Sequence, residues 1–467
     1  MEKIMGISKA LVGKSVMMVA VIAATMLPAA AQKQAPPAGG PPKPYVLPAK
    51  QRFTLKNGLA VTLVPYGAIP KADIAVVVGA GSNNEAAEQV WLSSLTAQLM
   101  KEGTKSRTAE QVSSEAAGMG GDVSVIAGPD QTTLSMDVLS EFAPQAAKLL
   151  SDVVQNPLLP EADFQRLKKD QLRRLSIAKT QPAQIALERF RKTLYPGHPY
   201  GRVFPSEESL GKLTWEDAKQ FYAKNFGATR THIYVAGKFN AAAVKTAIEQ
   251  TFGGWPAGPQ PFVNIPKPLS KRSLQLVDKP GAAQSTLYIG LPTVEPSNPD
   301  YVPMLVMDSL LGGSFGSRIT SNIREQKGYT YAPNSQISAR YRDAYWVEVA
   351  DVTTAVTGPS IKEIFGEIKR LQKDPPAKDE LEGIQKYMAG IFVLRNSSRQ
   401  GIVNQLIFQD LHGLGDEYLT TYVQRVYSVT PEQVQELAKK YIQEDQMAIV
   451  VVGDREKIAD QIAVYKP

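Results

Sequence analysis

Residues 311–331 read LGGSFGSRITSNIREQKGYTY, a segment rich in glycine, arginine and tyrosine. Its start contains three glycines, Gly312, Gly313 and Gly316, and glycine lets the backbone approach another backbone or a ligand closely. The middle has helical spacing, and residues 327–331 read as a turn into a strand. Arginine and tyrosine are good donors to a peptide carbonyl or a developing oxyanion. The segment is therefore a candidate site, provided that the rest of the chain supplies a reaction.

The composition is that of a globular protein with more than one domain. The chain has 467 residues, of which 43% are hydrophobic and 21% are charged, and this length exceeds one ordinary core. The formal net charge of +7 is mild for this length, and the basic residues do not cluster with aromatic ones. We therefore expect no nucleic-acid partner. The basic run at 166–174 has helical spacing and is typical of a solvated helix face.

Cysteine and histidine usage excludes several kinds of site. The absence of cysteine rules out disulfides, thiolate zinc sites and cysteine nucleophiles. The only histidines are His198, His232 and His412, and none has a metal-ligand spacing to another. A histidine-rich metal site within this chain is therefore not expected.

The N-terminus has the pattern of a targeting segment. Lys3, Lys9 and Lys14 precede an apolar stretch at 15–27, and PAAA at 28–31 fits a small-residue cleavage site. We predict a signal peptide at 1–31 with cleavage after Ala31, the alternative being an uncleaved anchor. A Pro-rich, extended and poorly ordered tether follows at 32–49. This arrangement predicts export to a bacterial periplasm, with no stable membrane span after cleavage.

Hydrophobic periodicity and turn signals divide the remaining chain into helices and strands. Residues 52–64 read as a hairpin around Asn57-Gly58. Strands are also predicted at 72–79, twice within 120–136, and at 231–237, 273–277, 285–290, 335–352 and 447–453. Helices are predicted at 89–100, 106–119 (with a Thr108 cap), 141–155, 160–179, 183–194, 214–226, 241–252, 300–311, 361–372, 378–395 and 431–441.

The pattern of elements occurs twice. A helix, a short break, an apolar strand and a glycine end at Gly237, and the same order ends at Gly453, 216 positions later. Near the starts of the halves, Gly79 and Gly290 lie 211 positions apart. An offset of this size predicts two homologous α+β domains, each a largely antiparallel sheet packed with helices. We place the N-terminal domain at 50–255, a linker at 256–268 and the C-terminal domain at 269–467.

Several short motifs in this order resemble the insulinase-type (M16) zinc metallopeptidase family. They are FTLKNGLAVTLV at 53–64, GAGSNNE at 79–85, Gly103-Thr104, GHPYG at 197–201 and, above all, residues 311–331. Each motif is weak alone, but their order, spacing and duplication together are specific. The resemblance covers nearly everything after residue 52. It is strongest to the branch whose subunits have two domains, such as the mitochondrial processing peptidases.

The resemblance implies a zinc site that this chain lacks. The family places an inverted HxxEH helix just before the Gly-Thr break, where this chain has Ser94 and Gln98 for the two histidines and Ala97 for the general-base glutamate. The third ligand position falls near 173–175, which reads Arg-Arg-Leu. These residues cannot hold zinc or activate water. No HxxEH or HExxH occurs elsewhere, so we expect no cofactor in this chain.

The second domain keeps the family's other contribution. By resemblance, Arg324 hydrogen-bonds the substrate backbone and Tyr331 donates to the oxyanion, at the zinc site of a facing first domain. Arg318 and Tyr329 are the alternatives if the register differs. We expect the backbone of the glycine-rich turn at Gly312, Gly313 and Ser314 to bind the substrate. A structural reading also stays open: Arg324 could pair with Glu325 or Asp308, and Tyr331 could be a sheet aromatic.

These observations support two competing functions. The first is the non-zinc subunit of a heterodimeric peptidase, in which an HxxEH homologue carries the zinc and this chain supplies Arg324 and Tyr331 for peptide hydrolysis. The second is a catalytically inactive peptide-binding or scaffold homologue. An independently active zinc peptidase is disfavoured by the missing ligands. His198, His232 and His412 are expected to be structural.

Overall fold

A computed structural model describes residues 45–467. The predicted signal peptide and the tether up to residue 44 lie outside the described residues. The described part is α+β, as predicted, with one sheet in each half of the chain. None of its helices is both long enough and apolar enough to cross a bilayer.

The strands follow the predicted order closely. The first sheet contains β1 Gln51–Thr54, β2 Ala60–Pro65, β3 Lys71–Val78, β4 Ser124–Ala127, β5 Thr132–Leu139 and β6 Thr231–Gly237. The second contains β7 Ser273–Asp278, β8 Gln284–Thr293, β9 Asn334–Arg340, β10 Asp343–Thr353 and β11 Ala448–Gly453.

Seventeen α-helices within residues 45–467 connect and cover these strands. In the first half they are α1 Leu92–Leu99, α2 Ala109–Gly118, α3 Ala143–Gln155, α4 Glu161–Ala178, α5 Pro182–Leu194, α6 Glu207–Lys212, α7 Trp215–Asn225 and α8 Ala241–Phe252. In the second half they are α9 Tyr301–Asp308, α10 Arg318–Thr320, α11 Thr357–Lys373, α12 Lys378–Arg395, α13 Arg399–His412, α14 Glu417–Thr420, α15 Tyr422–Ser428, α16 Pro431–Tyr441 and α17 Arg455–Ile462. Wider π-helical turns continue α9 at Ser309–Gly313 and α10 at Ser321–Gln326.

The two sheets repeat one topology, which confirms the predicted duplication. The strand orders are β1-β2-β6-β3-β5-β4 and β7-β11-β8-β10-β9. In each sheet the strand that comes last in sequence pairs in parallel with an early strand, β6 with β2 and β11 with β7. All other neighbouring strands are antiparallel. The strand β1 is the one addition, and it forms the predicted hairpin with β2 around Gly58, whose φ is +89°.

The sheet register corrects one detail of the predicted repeat. Gly290 lies opposite Ala448, five residues before Gly453. The residue opposite His232, five residues before Gly237, is Val77. Gly290 is therefore equivalent to Val77 and not to Gly79. The two halves differ in length between this strand and the last strand of the sheet, and not ahead of it.

Each sheet is buried on both faces, because each half supplies one helix that packs on the sheet of the other half. One face of each sheet packs on helices of its own half. The other face of the second sheet packs on α5 of the first half, through residues such as Phe190 and Val450. The other face of the first sheet packs on α13 of the second half, through residues such as Val77 and Leu406. This two-sided burial explains the continuous apolar runs of β3, β6 and β11.

Three predictions about local structure are wrong. Residues 335–352 form not one strand but the β9–β10 hairpin, whose turn contains Arg342 at φ +55°. Helix α13 is missing from the predicted elements, and its last residue, His412, is buried. The predicted tether is not loose at residue 45, because the Tyr45 ring packs edge-on against Phe392 at 5.1 Å between centroids.

Candidate functional site

Helix α1 is the element at the position of the family's zinc motif. It begins three residues later than predicted, because Trp91 adopts φ +76° and cannot continue a helix toward the N-terminus. The buried Glu85 carboxylate caps it, accepting from the Trp91 amide at 3.1 Å and the Ser93 amide at 2.8 Å. Burial raises the pKa of Glu85 to about 7. Glu85 stands in the GAGSNNE motif at 79–85, and nothing in the sequence pattern predicts its capping role.

The exposed face of α1 cannot bind zinc. Ser94 and Gln98 lie one turn apart, and the Gln98 amide donates to the Ser94 hydroxyl at 3.4 Å. Ala97 faces the core and is buried. Zinc requires imidazole, thiolate or carboxylate ligands. No cluster of three such side chains exists within residues 45–467, so the residues present do not fit the metal that the family implies.

The expected third ligand position, residues 173–175, lies on helix α4. Arg173 points to solvent and pairs with Asp170 at 3.1 Å, Arg174 is also exposed, and Leu175 is apolar and buried. Gln171 on the inward face of α4 is buried, and its amide nitrogen has no hydrogen-bond partner within residues 45–467. Helix α4 packs against α1, and Gln171 and Leu175, four positions apart, lie on the same buried face. Of the predicted triplet only Leu175 lies there, and its apolar side chain cannot bind zinc.

Arg324 and Tyr331 lie together on the surface, with a third residue that the sequence analysis missed. The Arg324 guanidinium carbon is 4.4 Å from the centre of the Phe315 ring and 5.2 Å from that of Tyr331. Its Nε is also 3.2 Å from the Glu325 carboxylate. Phe315 and Tyr331 are 72% and 81% exposed. We call these three residues, Phe315, Arg324 and Tyr331, the aromatic–arginine cluster.

The backbone explains how the cluster forms. Gly328, at φ +66°, ends the π-helical turn that carries Arg324. Thr330 then fastens the chain to β10, because its hydroxyl donates to the Asp351 carbonyl at 2.7 Å. Tyr331 is therefore held next to Arg324, and the next strand starts only at Asn334. Within residues 45–467 the Tyr331 hydroxyl has no hydrogen-bond partner, so it is available to a ligand.

The two alternative residues are committed to structural contacts. Arg318 donates two hydrogen bonds to Glu380, at 2.7 and 2.8 Å. Tyr329 is partly buried against the core of the second half. Asp308, the other proposed partner of Arg324, instead accepts from the Ser335 hydroxyl at 2.5 Å and the Trp346 indole at 2.7 Å.

Gly312, Gly313 and Ser314 do not form an exposed backbone surface. A Cβ at Gly312 would lie 2.8 Å from a carboxyl oxygen of Glu348, and one at Gly313 would lie 2.7 Å from Oδ2 of Asp308. Ser314 is buried, and its hydroxyl has no hydrogen-bond partner in the described part of the chain. The two glycines therefore allow close packing against buried carboxyl groups.

Those carboxyl groups form an acidic pair inside the second half. Burial raises the pKa of Asp308 to about 6, although two hydrogen bonds oppose the shift. Glu348 is fully buried, and neither of its carboxyl oxygens has a hydrogen-bond partner within residues 45–467. Burial, together with the nearby Asp308, raises the pKa of Glu348 well above its usual value.

His198 and His232 make contacts within the chain. His198 accepts from the Tyr200 amide at 3.2 Å, inside its own loop. His232 bridges Thr62, at 2.8 Å, and Asp410, at 3.3 Å, an arrangement that superficially resembles a catalytic triad. Thr62 is completely buried, however, so no substrate can reach its hydroxyl.

Comparisons with known proteins agree with the duplicated fold. Residues 65–204 match the insulinase (peptidase family M16) model, and residues 212–388 match the peptidase M16 inactive domain model. Together the two matches span more than half of the chain.

Individual relatives extend the same similarity over nearly the whole length. The chain is 24% identical over 397 residues to the uncharacterized zinc protease YmxG of Bacillus subtilis, covering 85% of this chain and 96% of that protein. It is 26% identical over 274 residues to the probable mitochondrial-processing peptidase subunit beta of Schizosaccharomyces pombe, covering 57% and 59%. A crystal structure of the peptidase M16 inactive domain from Pseudomonas fluorescens matches with a TM-score of 0.80 and 25% identity, covering 87% of this chain and 98% of that one. This chain therefore belongs to the M16 peptidase family, with both the N-terminal and the inactive-type C-terminal domain in one polypeptide.

Proposed function

We propose that this chain is the non-zinc subunit of a heterodimeric M16 metallopeptidase. Its partner is an HxxEH-containing homologue, which carries the zinc and the general base. This chain supplies Arg324 and Tyr331 in trans and one wall of the chamber that encloses peptide substrates. The observation that carries the proposal is the pairing of an α1 face unfit for zinc with an exposed aromatic–arginine cluster.

The chemistry of the cluster suits an assisting role. The Arg324 guanidinium keeps donors free beyond its contact with Glu325, and it hydrogen-bonds the peptide backbone. The Tyr331 hydroxyl donates to the oxyanion that develops when the peptide carbonyl is attacked. One such donor contributes on the order of 3 kcal/mol, equivalent to about a hundredfold in rate. Phe315 stacks on Arg324 and limits its rotamers, which lowers the entropy cost of forming these bonds.

A second function stays in competition, as a catalytically inactive peptide-binding or scaffold protein. The observation that favours it is the set of partners that Arg324 already has within its own chain, namely the Phe315 and Tyr331 rings and the Glu325 carboxylate. These contacts stabilise the arginine without any substrate.

Reconstitution with an HxxEH homologue separates the two functions. The chain is mixed with that homologue and zinc, and cleavage of an unstructured peptide is followed. We expect activity from the pair only, and a drop of about a hundredfold in kcat for Tyr331→Phe. Arg324→Ala should also lower kcat, whereas the equally polar but solvent-facing Arg173→Ala is the matched control. Activity from the pair that is indifferent to both cluster variants would leave only the scaffold function.

The same proposal includes export to the periplasm, supported by the lysine-rich start, the apolar stretch at 15–27 and the small residues at 28–31. Fractionation of cells that express the full chain, with N-terminal sequencing of the product, tests it. Full-length protein in the cytoplasmic fraction would contradict it.

A further inference from the structure

The second half contains a cavity that the proposed chemistry does not use. It has a volume of about 550 Å³ and lies between the edge strand β9 and helices α9, α12 and α13. Asp308 and Gly313 form part of its lining, together with Tyr301, Tyr387, Phe392 and Tyr422. We call it the acid-floored cavity.

One carboxylate oxygen at this cavity lacks a partner. Oδ1 of Asp308 accepts both the Ser335 and the Trp346 hydrogen bonds, which fix the orientation of the carboxyl group. Within residues 45–467, Oδ2 accepts no hydrogen bond, and no lysine or arginine nitrogen lies within 4 Å of Asp308, although the residue is more than nine-tenths buried. A buried carboxylate is costly unless a cation or further donors compensate it.

Gly313 keeps that oxygen accessible. A Cβ at this position would lie 2.7 Å from Oδ2 of Asp308, closer than a non-bonded contact allows. Gly313 itself lines the cavity, so the absence of its side chain leaves Oδ2 open on that side.

The walls are aromatic. The Phe392 and Tyr422 rings stack with centroids 4.3 Å apart, and the Tyr418 ring lies 6.3 Å from that of Tyr422. Tyr387, half-exposed, stands at the opening. Aromatic faces attract ammonium and guanidinium groups, and the attraction grows when the cation is desolvated.

We propose that the acid-floored cavity binds an organic cation, through a charged hydrogen bond from its ammonium or guanidinium group to Oδ2 of Asp308 and contact of its carbon atoms with the aromatic wall. A metal ion is disfavoured, because no third ligand of the right type is near. Arg395 also lines the cavity, exposed and without a carboxylate within 4 Å in the described part of the chain, and its charge weakens binding. The cation is either a free amine or the basic side chain of a peptide, and the second source rests on the proposed function.

Binding to the chain alone tests the site without any partner or cleavage. Titration calorimetry at pH 8 compares butylguanidinium with its uncharged isostere butylurea. We expect butylguanidinium to bind about tenfold tighter or more. Asp308→Asn keeps the acceptor for Ser335 and Trp346, and it should remove that preference. Tyr387→Ala, at the cavity mouth, should weaken butylguanidinium binding without affecting the fold, and Arg395→Gln should strengthen it.

Equal binding of the two probes, or a preference that survives Asp308→Asn in a folded protein, would overturn the proposal. N-acetyl-arginine amide distinguishes the two sources of the cation. If it binds more tightly than butylguanidinium, the cation is a basic side chain of a peptide. If it binds more weakly, the cation is a free amine. Failure of the heterodimer to cleave peptides would refute the proposed function and leave these binding results unaffected.

Discussion

Replacing Glu348 with glutamine should stabilise the protein, and the gain should grow with pH. Glu348 is fully buried next to Asp308, and neither of its oxygens has a hydrogen-bond partner in the described residues. In the folded state it therefore stays protonated at pH values where the unfolded chain has already lost the proton. Glutamine has nearly the same shape and cannot ionise, so the substitution removes this mismatch.

The size and sign of the effect follow from proton linkage. Because the pKa of Glu348 is raised in the folded state, its protonated form stabilises the fold fully only below the unfolded value of 4.5. Above that value, wild type loses about 1.4 kcal/mol of unfolding free energy per pH unit until the folded pKa is reached. Between pH 5 and pH 6, the variant should thus gain about 1.4 kcal/mol relative to wild type. Asp308, whose pKa is raised from 3.8 to about 6, does not change this difference between pH 5 and pH 6, because its neighbour is neutral in both folded proteins.

Urea unfolding of both proteins, repeated from pH 4.5 to pH 8, measures this difference. Near pH 4.5 the two midpoints should almost coincide, since a protonated carboxyl and an amide are both neutral. Glu88→Gln, an exposed glutamate without an ion pair among residues 45–467, serves as the control and should give a flat difference. A difference between wild type and Glu348→Gln that does not change with pH would refute the reasoning.

Three further outcomes follow from contacts described above. Arg318→Ala should lower the unfolding free energy by about 1–3 kcal/mol, because it leaves Glu380 without its two charged donors, and a double-mutant cycle with Glu380→Ala should recover most of that loss. Tyr234→Phe removes a 2.6 Å hydrogen bond to Asp410 on α13; we expect a loss of about 1–2 kcal/mol and faster amide exchange in α13, and unchanged exchange would mean that this bond does not hold the helix. The isolated chain, dialysed against zinc and then buffer, should retain no stoichiometric zinc by elemental analysis, and one zinc per chain would contradict the assignment of Ser94 and Gln98 as non-ligands.

Local signals predicted much of this fold. Asn57-Gly58 marks its hairpin because a tight turn favours a positive φ at the glycine, and Thr108 begins α2 because its hydroxyl oxygen accepts a hydrogen bond from the Gln111 amide. The repeat of helix, strand and glycine predicted two sheets of one topology. These features depend on residues that are neighbours in sequence, so the sequence contains the information directly.

Features that depend on tertiary contacts were not predictable. Helix α13 buries Gln409 and His412 beside its apolar residues, so its apolar stripe is too short to stand out. The β9–β10 turn places an arginine at positive φ, without the usual glycine or asparagine signal. At the candidate site, the spacing of Arg324 and Tyr331 was visible, but the stacking of Phe315 depends on a π-helical turn that no periodicity indicates. The burial of the Gln171 side chain likewise depends on how α4 packs.

The exchange of α5 and α13 has a consequence for how this chain can be divided. Either half expressed alone would leave one sheet face uncovered, because the helix that covers it belongs to the other half. Conversely, a single protease cut in the exposed apolar stretch at 262–265 would break the polypeptide but leave both helices in place. We therefore expect the nicked fragments to remain associated and to behave as one particle. Each half therefore depends on the other for its folded state, because each supplies the helix that covers the second face of the other's sheet.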